Sequence, residues 1–275
     1  MIRFVGAGPG AVDLVTVRGA RLLAQADLVI YAGSLVNPEL LELTSPTCSI
    51  MDSAPMTLEE VVGAMEDAEA KGWSTVRLHT GDPALYGAIR EQMDELDRRG
   101  ISYDVTPGVS SLFGAAAALG AEFTLPGVSQ SLIVTRAEGR TPVPAGESLA
   151  SMAKHGCTLA LFLSTGLLSK VEADLKEGGV DASTPAAIVY KATWPDQRVF
   201  RCTAGTLAKT ARDAGISKTA LVLVGRFLGS EYDRSLLYHP GFSHGFRLAG
   251  EGSRAASDQA SGAAALRHAP EMGAS

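Results

Sequence analysis

Gly6-Ala7-Gly8-Pro9-Gly10 follows directly on the run Ile2-Arg3-Phe4-Val5, and this junction constrains the chain more than any other stretch. The apolar run predicts a first strand. Glycine lets a backbone turn sharply and approach a bound group where a Cβ would collide. Strand, glycine loop and helix in that order put a small-molecule site at the carboxyl edge of a parallel sheet.

The same alternation continues through the first half. Thr16 predicts the cap of a helix running to about Ala26, and Leu28 to Ala32 reads as a buried strand. Thr57-Leu58-Glu59-Glu60 has capping-box spacing and opens a helix that Lys71-Gly72 closes. Ser74 to His79 is the next strand. Asp82-Pro83 then predicts a helix whose stripe is Leu85, Ile89, Met93 and Leu96, ended by Arg98-Arg99-Gly100. A strand over Ser102 to Thr106 leads through Pro107-Gly108 into an alanine-rich helix.

A connection with proline and glycine, Phe123 to Val128, marks the expected domain boundary. Beyond it, strands are predicted at Ser131–Thr135, Thr158–Leu163, Ala186–Tyr190, Arg198–Cys202 and Ala220–Val224, with helices near Leu167–Gly178 and Thr206–Ala214. The fold class is therefore α/β. Residues 1–122 form a domain with a mostly parallel sheet and helices on both faces, and 123–247 form a second domain with a mixed sheet. Residues 248–275, rich in Ala, Gly and Ser, are expected to be a disordered tail.

Composition removes several functions. The net charge of −6 counts against nucleic-acid binding, where a basic stripe is needed. No apolar run reaches the length of a membrane span, and no basic stretch with a long apolar one opens the chain. Cys48, Cys157 and Cys202 are scattered without a CxxC pair, which predicts reduced thiols and a cytoplasmic protein. The five histidines are equally dispersed, so no metal site is expected.

Gly6-x-Gly8-x-x-Ala11 fits the loose form of a dinucleotide fingerprint. That fingerprint needs a helix beginning inside the glycine run, so that its amino end meets a diphosphate. Here Ala11 to Val15 intervenes before the Thr16 cap, and Pro9 lacks an amide. Asp27, near the offset for a ribose-binding acid, precedes the second strand instead of ending it. The dinucleotide reading is disfavoured. Three further loops end strands of the same sheet: Tyr31 to Val36, Thr80 to Gly87, and Thr106 to Ser111. Singly, capping explains their residues, with Asp82 before Pro83 and with Ser110 and Ser111. Together, four glycine-containing loops on one edge favour a ligand site.

Gly6-Ala-Gly-Pro-Gly10, Gly81-Asp-Pro83 with Tyr86-Gly87, and Pro107-Gly-Val-Ser-Ser111, in that order, resemble the tetrapyrrole methylase family. The likeness runs from Met1 to about Phe246. Tyr31-Ala-Gly-Ser-Leu-Val36, Asp52-Ser-Ala-Pro-Met56 and Leu125-Pro-Gly-Val-Ser129 resemble the branch that methylates C11 of precorrin-4 or cobalt-precorrin-4. The resemblance implies S-adenosylmethionine as methyl donor, an active-site cleft between the two α/β domains, a homodimer, and a cofactor site at Pro9, Thr80, Gly81, Asp82, Leu85, Ser110, Ser111, Leu163, Ala192 and Ala220. Related uroporphyrinogen methylases carry an aspartate after the second strand, assigned as proton acceptor. Ala32-Gly33-Ser34 here has no carboxylate, so no catalytic residue is carried over.

The alternatives are another methylase of this fold, acting at a different precorrin position, on uroporphyrinogen III or as a diphthine synthase, and a tetrapyrrole carrier without turnover. For methyl transfer, alignment matters more than acid–base groups, because the sulfonium methyl is already activated. Asp82 is expected to meet the cofactor's ammonium or ribose. Arg77, Arg136, Arg140, Lys191 and Arg198 are candidates for holding the carboxylates of a tetrapyrrole.

Overall fold

The structure is a computed structural model and describes residues 1–33 and 35–248. Apart from Leu248, the expected tail lies outside the described residues. By packing, the chain divides into two units. Unit 1 is Met1–Leu119 with Val189–Val199, and unit 2 is Gly120–Ile188 with the chain from Phe200 onward. The sequence places 189–199 with the second half, whereas this segment packs with unit 1.

Unit 1 is built from β1 (Ile2–Gly6), α1 (Val17–Ala24), β2 (Leu28–Tyr31), β3 (Ser49–Asp52), α2 (Leu58–Ala70), β4 (Thr75–His79), α3 (Ile89–Arg98), β5 (Tyr103–Thr106) and α4 (Ser111–Leu119). Its five strands lie in the order β3-β2-β4-β1-β5, and every pair is parallel. Alternate residues of one strand feed opposite faces. Ile2, Phe4, Leu28 and Ile30 pack against Val61, Val62 and Met65 of α2 and Leu96 of α3. Val5, Val29, Val76 and Leu78 form the other core with Leu23 of α1 and with Val36 and Leu40. Helices therefore cover both faces, as a parallel sheet requires.

Local signals set the helix starts. Thr16 Oγ1 accepts from the Gly19 N–H, and Thr57 and Glu60 complete a reciprocal capping box. One expectation fails. Asp82-Pro83 does not open a helix; α3 begins only at Ile89, because Tyr86 (φ 57°) and Ala88 (φ 49°) adopt left-handed backbone that cannot continue an α-helix. The segment 82–88 is instead a turn at the carboxyl end of β4.

Unit 2 contains β6 (Leu132–Arg136), α5 (Leu149–Ala153), β7 (Thr158–Phe162), α6 (Leu168–Glu177), β8 (Pro185–Tyr190), β9 (Arg198–Thr203), α7 (Leu207–Asp213) and β10 (Ala220–Val224). The sheet order is β6-β7-β10-β8-β9, with β6 parallel to β7 and β10 antiparallel to β7. This is the mixed sheet expected. The five-residue α5 and the four-residue β3 were not anticipated, since neither is long enough to show a period.

A polar pair lies inside the unit 1 core. Arg77 donates to Gln92 Oε1 (3.2 Å) and to the Ile30 carbonyl (3.2 Å), and burial pushes its pKa down to about 10. His79 is buried with Nε2 unpartnered. Burial, and secondarily the Arg77 charge, push its pKa down to about 3 from the ordinary 6.5. An unfolded chain thus takes up a proton below about pH 6.5 that the folded chain refuses until about pH 3. His79 favours the folded state fully above that window, and the contribution is lost as pH falls through it. His79→Phe is expected to flatten the acid dependence of the unfolding free energy from urea titration, by up to roughly 1.4 kcal/mol per pH unit across the window.

Candidate active site

The carboxyl ends of β1, β4 and β5 meet through bare backbone. A Cβ on Gly6 would stand 2.5 Å from Gly108 Cα and 2.7 Å from the Gly81 carbonyl oxygen. A Cβ on Gly108 would collide with the same carbonyl and stand 2.7 Å from Gly6 Cα. Gly8 (φ 80°) and Gly81 (φ 62°) exchange two backbone hydrogen bonds, 3.2 Å and 2.8 Å, so the loop after β1 is stitched to the loop after β4. Three glycine loops thus share one rim.

Asp82 holds the third loop in place. Its Oδ2 accepts from the Gly108 N–H at 2.9 Å and its Oδ1 from the Ala84 N–H at 2.8 Å. Ser110 is buried and its Oγ accepts from Leu112 N–H, while its carbonyl starts the hydrogen bonding of α4. Ser111 is the first residue of α4, and Leu85 N–H closes the Asp82 turn at 3.3 Å.

The segment 189–199 completes the rim from its own side of unit 1. Trp194 Nε1 donates to the Pro9 carbonyl (3.1 Å), and its ring covers Gly10, where any Cβ would collide with it. The Ala11 N–H donates to Thr193 Oγ1 (3.0 Å), and Asn37 Nδ2 to the Gly10 carbonyl (2.9 Å). Ala192 is buried between Lys191 (φ 45°) and Thr193 (φ 70°). Lys191 pairs with Asp196 at 2.7 Å, a hydrogen-bonded contact that raises the lysine pKa and lowers that of the aspartate.

In unit 2 the residues Leu163 and Ala220 are brought together. Thr165 Oγ1 donates to the Ala220 carbonyl at 2.9 Å, two residues from Leu163. Leu163 combines φ 52° with 70% exposure, unusual for a large apolar side chain. Among the described residues six non-glycine positions have positive φ: Tyr86, Ala88, Leu163, Lys191, Thr193 and Thr219. Five of them are, or adjoin, Leu85, Leu163, Ala192 or Ala220. Such backbone costs roughly 1–3 kcal/mol per residue and gathers where a ligand site needs it.

The arginine candidates do not behave as a set. Arg77 is buried in the core and cannot meet a substrate, which corrects the expectation. Arg136 donates to the carbonyls of Ala137, Thr141 and Pro142, pinning its own loop. Arg198 lies over the Tyr190 ring, 4.9 Å from its centroid. Asp27 accepts from Ser74 N–H at the amino edge of the sheet, the opposite end of the strands from the glycine loops. The residue that sequence reasoning missed is Asp52, whose carboxylate lies against Gly33 at the end of β2. Only the parallel pairing of β2 with β3, which sets Tyr31 opposite Asp52, brings it there.

The family model for tetrapyrrole (corrin/porphyrin) methylases matches residues 1–208. The chain belongs to this family. A methylase of Methanocaldococcus jannaschii named cobalt-precorrin-4 C(11)-methyltransferase is 49% identical over 244 residues, covering 88% of this chain and 94% of the relative. The solved structure of a cobalt precorrin-4 methyltransferase of cobalamin biosynthesis aligns with a TM-score of 0.81 at 50% identity, over 82% of this chain and 95% of that one. Uroporphyrin-III C-methyltransferase of Thermus thermophilus, solved with S-adenosylhomocysteine, aligns at 0.70 and 26% identity, over 83% and 93%. The α/β fold with one parallel and one mixed sheet is thus shared with these methylases.

The rim is expected to tolerate no side chain at its centre. Gly108→Ala should lower unfolding stability by about 3 kcal/mol, because only backbone lies in the way of the new methyl. Gly63→Ala, in the interior of α2 with nothing within 4 Å of its Cβ position, should instead stabilise by up to about 1 kcal/mol. Urea titration of the two variants checks both signs.

Proposed function

We propose that this chain transfers a methyl group from S-adenosylmethionine to C11 of precorrin-4 or cobalt-precorrin-4 in cobalamin biosynthesis. The observation that carries the reading is 49% identity with a cobalt-precorrin-4 C(11)-methyltransferase along nearly the whole of that relative. The S-adenosylhomocysteine complex of the Thermus uroporphyrin methylase supports the donor. So do the loops themselves. The N–H groups of Ala7, Gly8 and Ala11 are taken by His79 O, Gly81 O and Thr193 Oγ1, and Pro9 has none, so these four positions offer a diphosphate no amide. Such a rim suits a cationic sulfonium better than a polyanion.

The cofactor supplies a methyl group already activated on sulfur. In this reading the residues that the family resemblance implies, Pro9, Thr80, Gly81, Asp82, Leu85, Ser110, Ser111, Leu163, Ala192 and Ala220, hold it. Asp82 retains lone pairs beyond its two backbone partners and can accept from an ammonium or a ribose hydroxyl. The glycine rim fixes the donor's position, and fixing two large reactants at near-attack distance removes several kcal/mol from the barrier. The same proposal extends to a cytoplasmic homodimer. The three cysteines are free, which suits a reducing compartment. Leu236, Leu237, Tyr238 and Phe246 stand exposed, as a self-association surface requires.

Incubation with labelled S-adenosylmethionine and precorrin-4, with and without cobalt, tests the reading through the mass and methylation position of the product. Label at C11 is the expected result. Binding of both molecules without transfer would make the chain a carrier and overturn it. Asp82→Ala is expected to weaken S-adenosylhomocysteine binding about tenfold or more in calorimetry, the scale of one lost charge-assisted contact.

A further inference from the structure

Asp52 ends β3 at the carboxyl edge of the unit 1 sheet, directly opposite Tyr31 of β2. Its Oδ1 accepts from the Gly33 N–H at 2.9 Å and from the Ala54 N–H at 2.8 Å. The next residue anchors the turn from below: Ser53 N–H and Oγ both donate to the Tyr31 carbonyl, at 2.8 Å and 3.0 Å. Gly33 makes the arrangement possible. A Cβ at that position would stand 2.7 Å from Asp52 Cγ and collide with Oδ2. The carboxylate is therefore seated on a bare Cα and fixed through one oxygen.

The other oxygen is left over. Oδ2 has no hydrogen bond or ion pair among the described residues, and Asp52 is exposed. Asp82, on the loop after β4, differs in this respect, since a backbone N–H occupies each of its oxygens. A carboxylate held still through one oxygen and open through the other is arranged to take a proton from something outside the chain.

We propose that Asp52 is a catalytic residue of the methyl transfer, with Oδ2 accepting the proton that the substrate ring gives up. The inference rests on the C11 reading above. In the transfer, the ring carbon contributes the electron pair of the new C–CH3 bond, and the pair of the broken S–CH3 bond returns to sulfur. Sulfur becomes a neutral thioether and the macrocycle carries the positive charge. Loss of a proton from an N–H or C–H of the conjugated ring to Oδ2 discharges it, and Asp52 then releases that proton to water. Conjugation lets the proton leave several bonds from the new methyl. This suits a carboxylate two strand spacings, about 10 Å, from β4.

Asp52→Asn separates this role from that of a loop staple, because an amide oxygen can still accept from Gly33 and Ala54. The measurement is methyl transfer from labelled S-adenosylmethionine to precorrin-4 as a function of pH, with calorimetric S-adenosylhomocysteine affinity alongside. The variant is expected to lose about 100-fold or more in kcat. Its KM for the donor should stay within about twofold, and the acid limb of the wild-type pH profile should vanish. Gly33→Ala, which keeps the carboxylate but displaces it, should lower kcat in the same direction and covers the case of an Asn variant that does not fold. Wild-type kcat and an unchanged acid limb in Asp52→Asn would reduce Asp52 to a staple and overturn the proposal, while the C11 reading stands. A wild-type chain that leaves precorrin-4 unmethylated overturns that reading, and with it any transfer for Asp52 to serve.

Discussion

Backbone lying on backbone is the constraint that organises unit 1. Gly6, Gly81 and Gly108 end or follow three adjacent parallel strands, and each occupies space that a neighbour's Cβ would need. The contact works only because β4 and β5 both flank β1, so loops distant in sequence arrive at one place. The Gly8–Gly81 exchange and the Asp82–Gly108 bond then fix that place to within hydrogen-bond tolerance. A rim of this kind presents main chain and few side chains, which is what close approach to a large ligand demands.

Stiffness comes from how the loops use their polar groups. The Pro9 and Gly10 carbonyls are taken by Trp194 and Asn37, and the Ala11 amide by Thr193. Buried main-chain groups without partners would be costly, so the clamp is also what allows the loop to be buried. The strained backbone at Lys191 and Thr193 is held by the same contacts, supported by the Lys191–Asp196 pair and by Thr193 N–H donating to Gln197 Oε1. Strain, clamp and rim form one arrangement.

Much of the fold was legible because its signals are local. The Thr16 cap and the Thr57–Glu60 box each lie within a few residues and appear where expected, as does the alternation of apolar strands with helices apart from β3, α5 and the start of α3. The start of α3 was misread because Asp82 and Pro83 are equally good residues for a cap and for a tight turn. The left-handed backbone at Tyr86 and Ala88, which decides between the two, has no signature in non-glycine residues. Arg77 reads in the sequence as a holder of substrate carboxylates, since nothing nearby in sequence announces that Gln92 and the Ile30 carbonyl will receive it in the core.

The order of residues by itself determined the α/β class, the glycine loops at strand ends and the family likeness, because these depend on periodicity and short motifs. Tertiary structure alone decided which loops touch, that Asp82 spends both oxygens on the backbone, and that Trp194 closes over Gly10. It also supplied a carboxylate beside Gly33 from the neighbouring strand, where the chain's own sequence after β2 has none. The physical reason is shared: tertiary contacts join residues nineteen to nearly two hundred positions apart, and no local pattern of residue types encodes so distant a partner.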